Sequence, residues 1–320
     1  MLHYGYDLIG KNVVNFLFTV VPFIFVGASI SVTKSLETYF QRFILITAAA
    51  VAMQIIGNFI SGATYVHDMT ASYSALPSAI IAIYFMFRNK KQPVYVVLNI
   101  VYFFEILYMG VRGPIGIYFV CLLISILYFT KTRKARIVTS LTFVICAALF
   151  MSGTIERWLL MANRQLAALG INNGALIRYL NGTIIGDNGR SVITEKVIYA
   201  IWEHPILGNG LFYDRVLLGD NNYAHNLITE VLMDFGIFFG TIVLVVIAVC
   251  LIKLFTSARK DPFKFMFLLS LTAASIGLLT LSGSYLENRV FFMLVGIMMN
   301  QGFYKESIKE IGMDSTCLAV

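Results

Sequence analysis

Apolar residues along this chain gather into long runs instead of alternating with polar ones. Nine such runs stand out, at roughly 13–32, 41–60, 71–87, 93–110, 113–130, 136–152, 226–252, 263–282 and 289–304. About 20 helical residues cross a hydrocarbon core of roughly 30 Å. Inside lipid every backbone amide must be bonded within its own element or in a closed barrel. Runs of this length therefore predict helices, and the chain reads as an all-α polytopic membrane helix bundle of about nine spans. Between the sixth and seventh runs, residues 153–225 break the pattern with a long polar segment.

Composition narrows the choice. Apolar residues make up 58% of the 320 and charged residues 13%, whereas soluble domains run near 45–50% and about 25%. Two soluble domains, a disordered chain and a coiled coil are excluded together. The net charge of +7 would suit nucleic acid if it were concentrated in one patch, but it is spread between the runs. Alternate loops, from Lys34 to the C-terminal tail, hold fifteen Lys and Arg against five acids; the rest of the chain holds nine against twelve. By the positive-inside rule the first set is cytoplasmic. The expected organisation is a six-span N-terminal bundle (1–152), an extracytoplasmic loop (153–225), a three-span C-terminal bundle (226–304) and a cytoplasmic tail (305–320). This puts the N-terminus outside. Both a nine-span protein and a chain lacking upstream spans fit that count. No cleavable signal peptide is visible. Cys121, Cys146 and Cys250 lie in apolar runs and Cys317 in the tail, with no metal-ligand spacing and no disulfide framework.

The long loop is not linker-like. Ile155–Leu169 and Ser191–Glu203 both read as helices, and in the second Val197, Ile198, Ile201 and Trp202 fall on one face. That is the pattern of an interfacial amphipathic helix. Asn181–Arg190 is Gly- and Asn-rich and reads as a loop of tight turns.

Candidate chemistry concentrates between His204 and Gly240. Asn226 is placed to cap the seventh span, which leaves His225 at the helix N-terminus. There the macrodipole favours a neutral imidazole, the form a general base requires. The plainer reading, a histidine that only closes the helix start, is the commoner outcome of such spacing. Glu230 and Asp234 are four apart inside the same span and share a face; acids at membrane depth mark function or a structural pair with polar neighbours. On the other run boundary, Arg112 opens the fifth span at a Gly-Pro turn, with Glu105 seven residues before it, and an arginine that merely snorkels is the alternative. Arg190 ends the Gly-rich loop, where a solvated loop charge is the alternative. Taken together, two outer arginines suit a diphosphate, since the planar guanidinium engages phosphate oxygens bidentately, and a histidine beside them can take a proton from a hydroxyl.

The order of these pieces resembles the O-antigen polymerase and ligase family of bacterial surface polysaccharide assembly. The matching residues are Arg112-Gly113, Gly189-Arg190, Pro205-Ile206-Leu207-Gly208-Asn209-Gly210, Ala224-His225-Asn226 and Asp234-Phe235-Gly236. The resemblance covers roughly residues 95–250. It implies a membrane-embedded C-type glycosyltransferase fold in the bacterial cytoplasmic membrane, acting on the extracytoplasmic side on undecaprenyl-diphosphate-linked glycans, with no metal and no cofactor. It gives Arg112 and Arg190 the diphosphate and His225 the role of base or acceptor-orienting group; Glu105, Glu230 and Asp234 are expected from their spacing as supporting residues, the last two to hold an arginine or steer an incoming hydroxyl. The expected reaction is polymerisation of lipid-linked repeat units for O-antigen, capsule or exopolysaccharide. Ligase-type transfer to a different acceptor remains open, because groove shape decides the acceptor. A lipid-linked sugar transporter or flippase is the alternative of another class; it would show internal repeats and broken helices near the midplane. Expected partners are the glycan donor and acceptor, membrane lipids, and a flippase and chain-length regulator, with no nucleic acid.

Overall fold

The computed structural model describes residues 2–60, 69–89, 93–108, 112–134, 136–141, 160–161, 164–165, 190–219 and 223–300. Among them the regular elements are all helices, without a strand, as the apolar runs require. Helix α1 (Leu2–Asn15) passes through a π-turn at Phe16–Val20 into α2 (Pro22–Ser29). Then come α3 (Lys34–Ile60), α4 (Met69–Arg88), α5 (Val94–Tyr108), α6 (Arg112–Phe129), α7 (Arg190–Glu203), α8 (Tyr213–Leu218) and α9 (Leu227–Ala258). Helix α10 (Pro262–Thr272) continues through a second π-turn, Ala273–Gly277, into α11 (Leu278–Leu281), and α12 (Arg289–Met299) follows. Four helical stretches among the described residues are long and apolar enough to cross a membrane: Ile9–Ser29, Lys34–Gly57, Leu227–Ala258 and Pro262–Leu281. Val94–Ile106, Gly113–Phe129 and Arg289–Met299 are shorter and apolar. The expected run at 136–152 lies mostly outside the described residues, as do most of the expected helix Ile155–Leu169 and the loop Asn181–Gly189.

The chain divides into two compact units, residues 38–186 and residues 1–37 with 187–320. In the first, α4 supplies the core: Leu76, Ile80 and Ile83 are fully buried. Long-range side-chain hydrogen bonds tie α3 to α5 in this unit, as a low-dielectric setting favours. The Tyr102 hydroxyl donates to the Ile44 carbonyl at 2.8 Å, and the Gln41 amide donates to the Tyr95 hydroxyl at 2.5 Å.

The second unit carries the loop–helix constellation. Helices α2 and α12 meet through glycine. A Cβ on Gly27 would lie 2.0 Å from the Met293 carbonyl oxygen, and one on Gly296 would lie 2.0 Å from that of Ile24. Small residues at such crossings let helix backbones approach where lipid offers no hydrophobic drive. The Asn300 amide closes the pair by donating to the Ile30 carbonyl at 3.0 Å. Helix α7 matches the sequence expectation in extent but divides its apolar surface. Val197, Ala200 and Ile201 are buried against Ala224 and Met233, while Ile198, Tyr199 and Trp202 are exposed. The physical reason is helix geometry: Val197, Ala200 and Ile201 centre the buried stripe, and Ile198 and Trp202 lie about 100° round the helix from Val197 and Ile201.

Helix α9 is broken at Gly236, whose φ of 76° and ψ of 169° are not helical. The loop 205–210 fills the break. Asn209 N–H donates to the Met233 carbonyl at 2.8 Å, Gly210 N–H to the Asp234 carbonyl at 3.0 Å, and Ile237 N–H to the Pro205 carbonyl at 2.6 Å. Gly208 and Gly236 both hold a positive φ at the contact. A Cβ on Gly208 would fall 2.3 Å from the Asp234 carbonyl oxygen, and one on Gly236 would fall 2.4 Å from that of Ile206. The P-I-L-G-N-G and D-F-G segments are therefore the two halves of one backbone junction. Gly236→Ala is expected to cost about 3 kcal/mol or more, because the strained φ and the backbone overlap add. Thermal unfolding in detergent checks this: the variant should show a clearly lowered Tm or fail to accumulate as folded protein.

Candidate functional site

The junction fixes the first turns of α9, which carry three of the residues singled out from the sequence. Asn226 caps the helix, its side-chain oxygen accepting from Ile228 N–H at 2.9 Å and Thr229 N–H at 3.4 Å. Its amide donates to the Thr280 carbonyl at 3.1 Å. His225 directly precedes the cap in a left-handed conformation with φ of 58°. Phe212, with φ of 65°, is the other non-glycine residue at positive φ among the described residues. Bulky side chains avoid this region, and such outliers persist where the surrounding structure imposes them. The pair brackets the segment containing α8.

Glu230 and Asp234 share a face, as their spacing predicts, and both are buried. Their partner is the turn 282–288 between α11 and α12. Glu230 accepts from the Ser284 hydroxyl and, at 3.0 Å, from Tyr285 N–H. The Tyr285 hydroxyl donates to Asp234 at 2.7 Å. Burial, and then the Asp234 charge, pushes the Tyr285 hydroxyl well above its ordinary range, which keeps it a donor. The other Asp234 oxygen has no hydrogen-bond partner among the described residues.

The same turn reaches a charge cluster absent from the sequence-derived set. Arg215 on α8 is 2% exposed and sits between two carboxylates. It is paired with Asp214, which is fully buried, and its Nη2 lies 2.7 Å from Glu287 of the turn. Burial opposes the Arg215 charge, but Asp214 and Glu287 outweigh it and hold the guanidinium above its ordinary value. Burial lifts the Asp214 carboxyl, with Arg215 pulling the other way. Asp214 also accepts from the backbone N–H groups of Arg215, at 2.9 Å, and of Ala224. The available signal was a D-R pair among apolar residues in F-Y-D-R-V-L-L; its partner, 72 residues away, had no local trace.

The remaining expected residues are placed less fully. Arg112 is the first residue of α6 and Arg190 the first of α7, but their side chains lie outside the described residues. Glu105 is buried on α5; residues 109–111, between it and Arg112, are also outside. Arg112 and Glu105 belong to the unit 38–186, and Arg190, His225, Glu230 and Asp234 to the other. Within the latter, His225 precedes the α9 cap, while Glu230 and Asp234 lie further along the helix against the turn 282–288. Among the described residues, no three His, Cys, Asp or Glu side chains converge as a metal ligand set.

Residues 94–244 match the model of a family described as O-antigen ligase. This stretch is similar to the O-antigen ligase family. This bears out the resemblance to the O-antigen polymerase and ligase family read from the motifs, and the match spans all six expected site residues as well as the loop junction. With the apolar helices, the match supports a membrane protein of surface polysaccharide biosynthesis. No curated protein and no solved structure gave a match.

The acid–turn contacts have a measurable consequence. Glu230→Leu leaves the Ser284 hydroxyl and the Tyr285 N–H without their acceptor, at about 1–3 kcal/mol each. Glu230→Gln keeps an acceptor oxygen and should lose less. Thermal denaturation in one detergent should rank wild type above E230Q and E230Q above E230L; equal Tm values for the two variants would refute the contact.

Proposed function

We propose that this protein polymerises undecaprenyl-diphosphate-linked oligosaccharide repeat units at the extracytoplasmic face of the bacterial cytoplasmic membrane. The observation that carries the reading is His225. It is held left-handed immediately before the capped start of a broken membrane helix, inside the stretch that matches a glycan-transferring family.

In this reading an acceptor sugar hydroxyl attacks the anomeric carbon of the donor repeat. The new C–O bond forms as the bond from that carbon to the lipid diphosphate breaks. His225 takes the hydroxyl proton, and the diphosphate leaves with the bonding electrons. Arg112 and Arg190 hold the leaving group. Negative charge grows there as the bond breaks, so guanidinium groups aimed at it favour the transition state over the ground state. Fixed cationic charge serves where a metal would otherwise be needed. A flippase that delivers the donor and a regulator of chain length are the partners this chemistry calls for. Glu230 and Asp234 support the site by anchoring the turn 282–288, and Glu105 supports Arg112.

The description of the matched family favours a second reading, transfer of finished glycan to a different, non-lipid-diphosphate acceptor. The two readings share donor and residues and differ in acceptor.

Arg112→Ala, Arg190→Ala and His225→Ala are each expected to abolish long-chain polysaccharide by about a hundredfold or more, with protein still present in the membrane. Gel analysis of surface glycan in a strain lacking the native protein, beside an immunoblot of membranes, provides the check. A full ladder from all three variants removes the assignment. Glycan accumulating as long chains on lipid supports polymerisation, and loss only of its transfer to a second acceptor supports the ligase.

A further inference from the structure

Tyr223 touches both His225 and Arg215, a residue to which the proposed mechanism gives no role. The Arg215 guanidinium lies over its ring, 5.3 Å from the centroid. The His225 imidazole packs against the same ring, with centroids 4.1 Å apart and planes tilted by 51°. Arg215 has little freedom of its own, being buried and paired with Asp214 and Glu287 at once. Asp214 accepts from Ala224 N–H, the backbone group next to His225. Glu287 belongs to the turn that Glu230 secures through Ser284 and Tyr285. One continuous set of contacts thus leads from an acid inside the membrane helix to the histidine at its mouth.

We propose that Asp214, Arg215 and Tyr223 are positioning residues for His225: Asp214 fixes the backbone at Ala224, and the Arg215–Tyr223 stack fixes the face of the imidazole. This rests on the reading of His225 as the proton acceptor. A proton acceptor must come within about 2.6–3.2 Å of the hydroxyl it serves. A left-handed residue at a loop–helix boundary does not hold its ring to that tolerance unaided. Only a planar guanidinium can engage two carboxylates through its edge and present a flat face to an aromatic ring. A lysine at 215 would supply the charge without the plane. The arrangement also accounts for a fully buried Asp-Arg pair beside the site: its cost is spent on the orientation of the neighbouring segment.

The test uses purified full-length protein with a synthetic polyprenyl-diphosphate-linked repeat as substrate. A second readout follows diethyl pyrocarbonate modification of the His225 peptide by mass spectrometry. Tyr223→Phe keeps the ring and should stay within about threefold of wild-type kcat, whereas Tyr223→Leu should lose about a hundredfold in kcat with KM nearly unchanged. Tyr223→Leu should also speed His225 modification. Arg215→Gln should match Tyr223→Leu, and the double variant should be no worse than the poorer single, because both act through one stack. Where Arg215→Gln fails to reach the membrane, the two Tyr223 variants decide. Wild-type kcat in Tyr223→Leu, multiplied losses in the double variant, or an unchanged modification rate would each overturn the proposal. His225→Ala tells the two ideas apart: full activity there ends the proton-acceptor reading, while the modification rate still reports on whether Tyr223 holds the imidazole.

Discussion

A helix can be interrupted within a bilayer only where other groups take up the hydrogen bonds it gives up. In this protein the break at Gly236 depends on the loop 205–210. Three backbone hydrogen bonds join them, and two glycines at positive φ let the two backbones lie in direct contact. Asn209 extends the junction by donating from its side chain to the Ala200 carbonyl of α7 at 2.9 Å. The first turns of α9, the end of α7 and the loop 205–210 are thereby joined by hydrogen bonds into one piece. His225 stands at its edge.

The second constraint is electrostatic. Carboxyl groups within an apolar bundle are costly unless each finds a donor. Glu230, Asp234 and Asp214 find theirs on the turn 282–288 and on α8. The price of burying acids is thus converted into order: the turn is pinned to α9, Glu287 of the turn is pinned to Arg215, and α8 is pinned beside the residue before His225. Adjoining this arrangement, Phe212 packs with Leu227, Leu286 and Phe291 in an apolar cluster that also holds Tyr285, and Phe16 meets Phe212 and Phe292 edge-on. Polar and apolar contacts fix the same few turns, and Tyr285 belongs to both.

Much of this was legible in the chain. Apolar run length gave the helices, since a bilayer leaves a segment of that kind no other structure. Asn226 read as a cap because an Asn before a long apolar run has few other uses, and the four-residue spacing of Glu230 and Asp234 put them on one face. The family followed from short motifs. What those motifs do was not legible: Gly208 and Gly236 are 28 positions apart in sequence, and nothing local says that they meet. Arg215 escaped for the same reason. Its partners lie on another turn, and a lone D-R pair in a loop has the appearance of a solvated surface charge. The split of α7 between a buried and an exposed apolar side depended on where Ala224 and Met233 pack, which no local pattern reports. Periodicity reports which residues avoid water; it does not report which of them meet protein and which meet lipid.

The central claim is that the α9 start is a centre of glycan transfer from a lipid diphosphate. The most direct measurement incubates the purified protein with one defined lipid-linked repeat and counts two products together, free polyprenyl diphosphate and new glycosidic bonds. The account requires one diphosphate released for each bond formed, with no nucleotide sugar present. Bonds formed without diphosphate release, or passage of the intact donor across a bilayer with no bond formed, would contradict it.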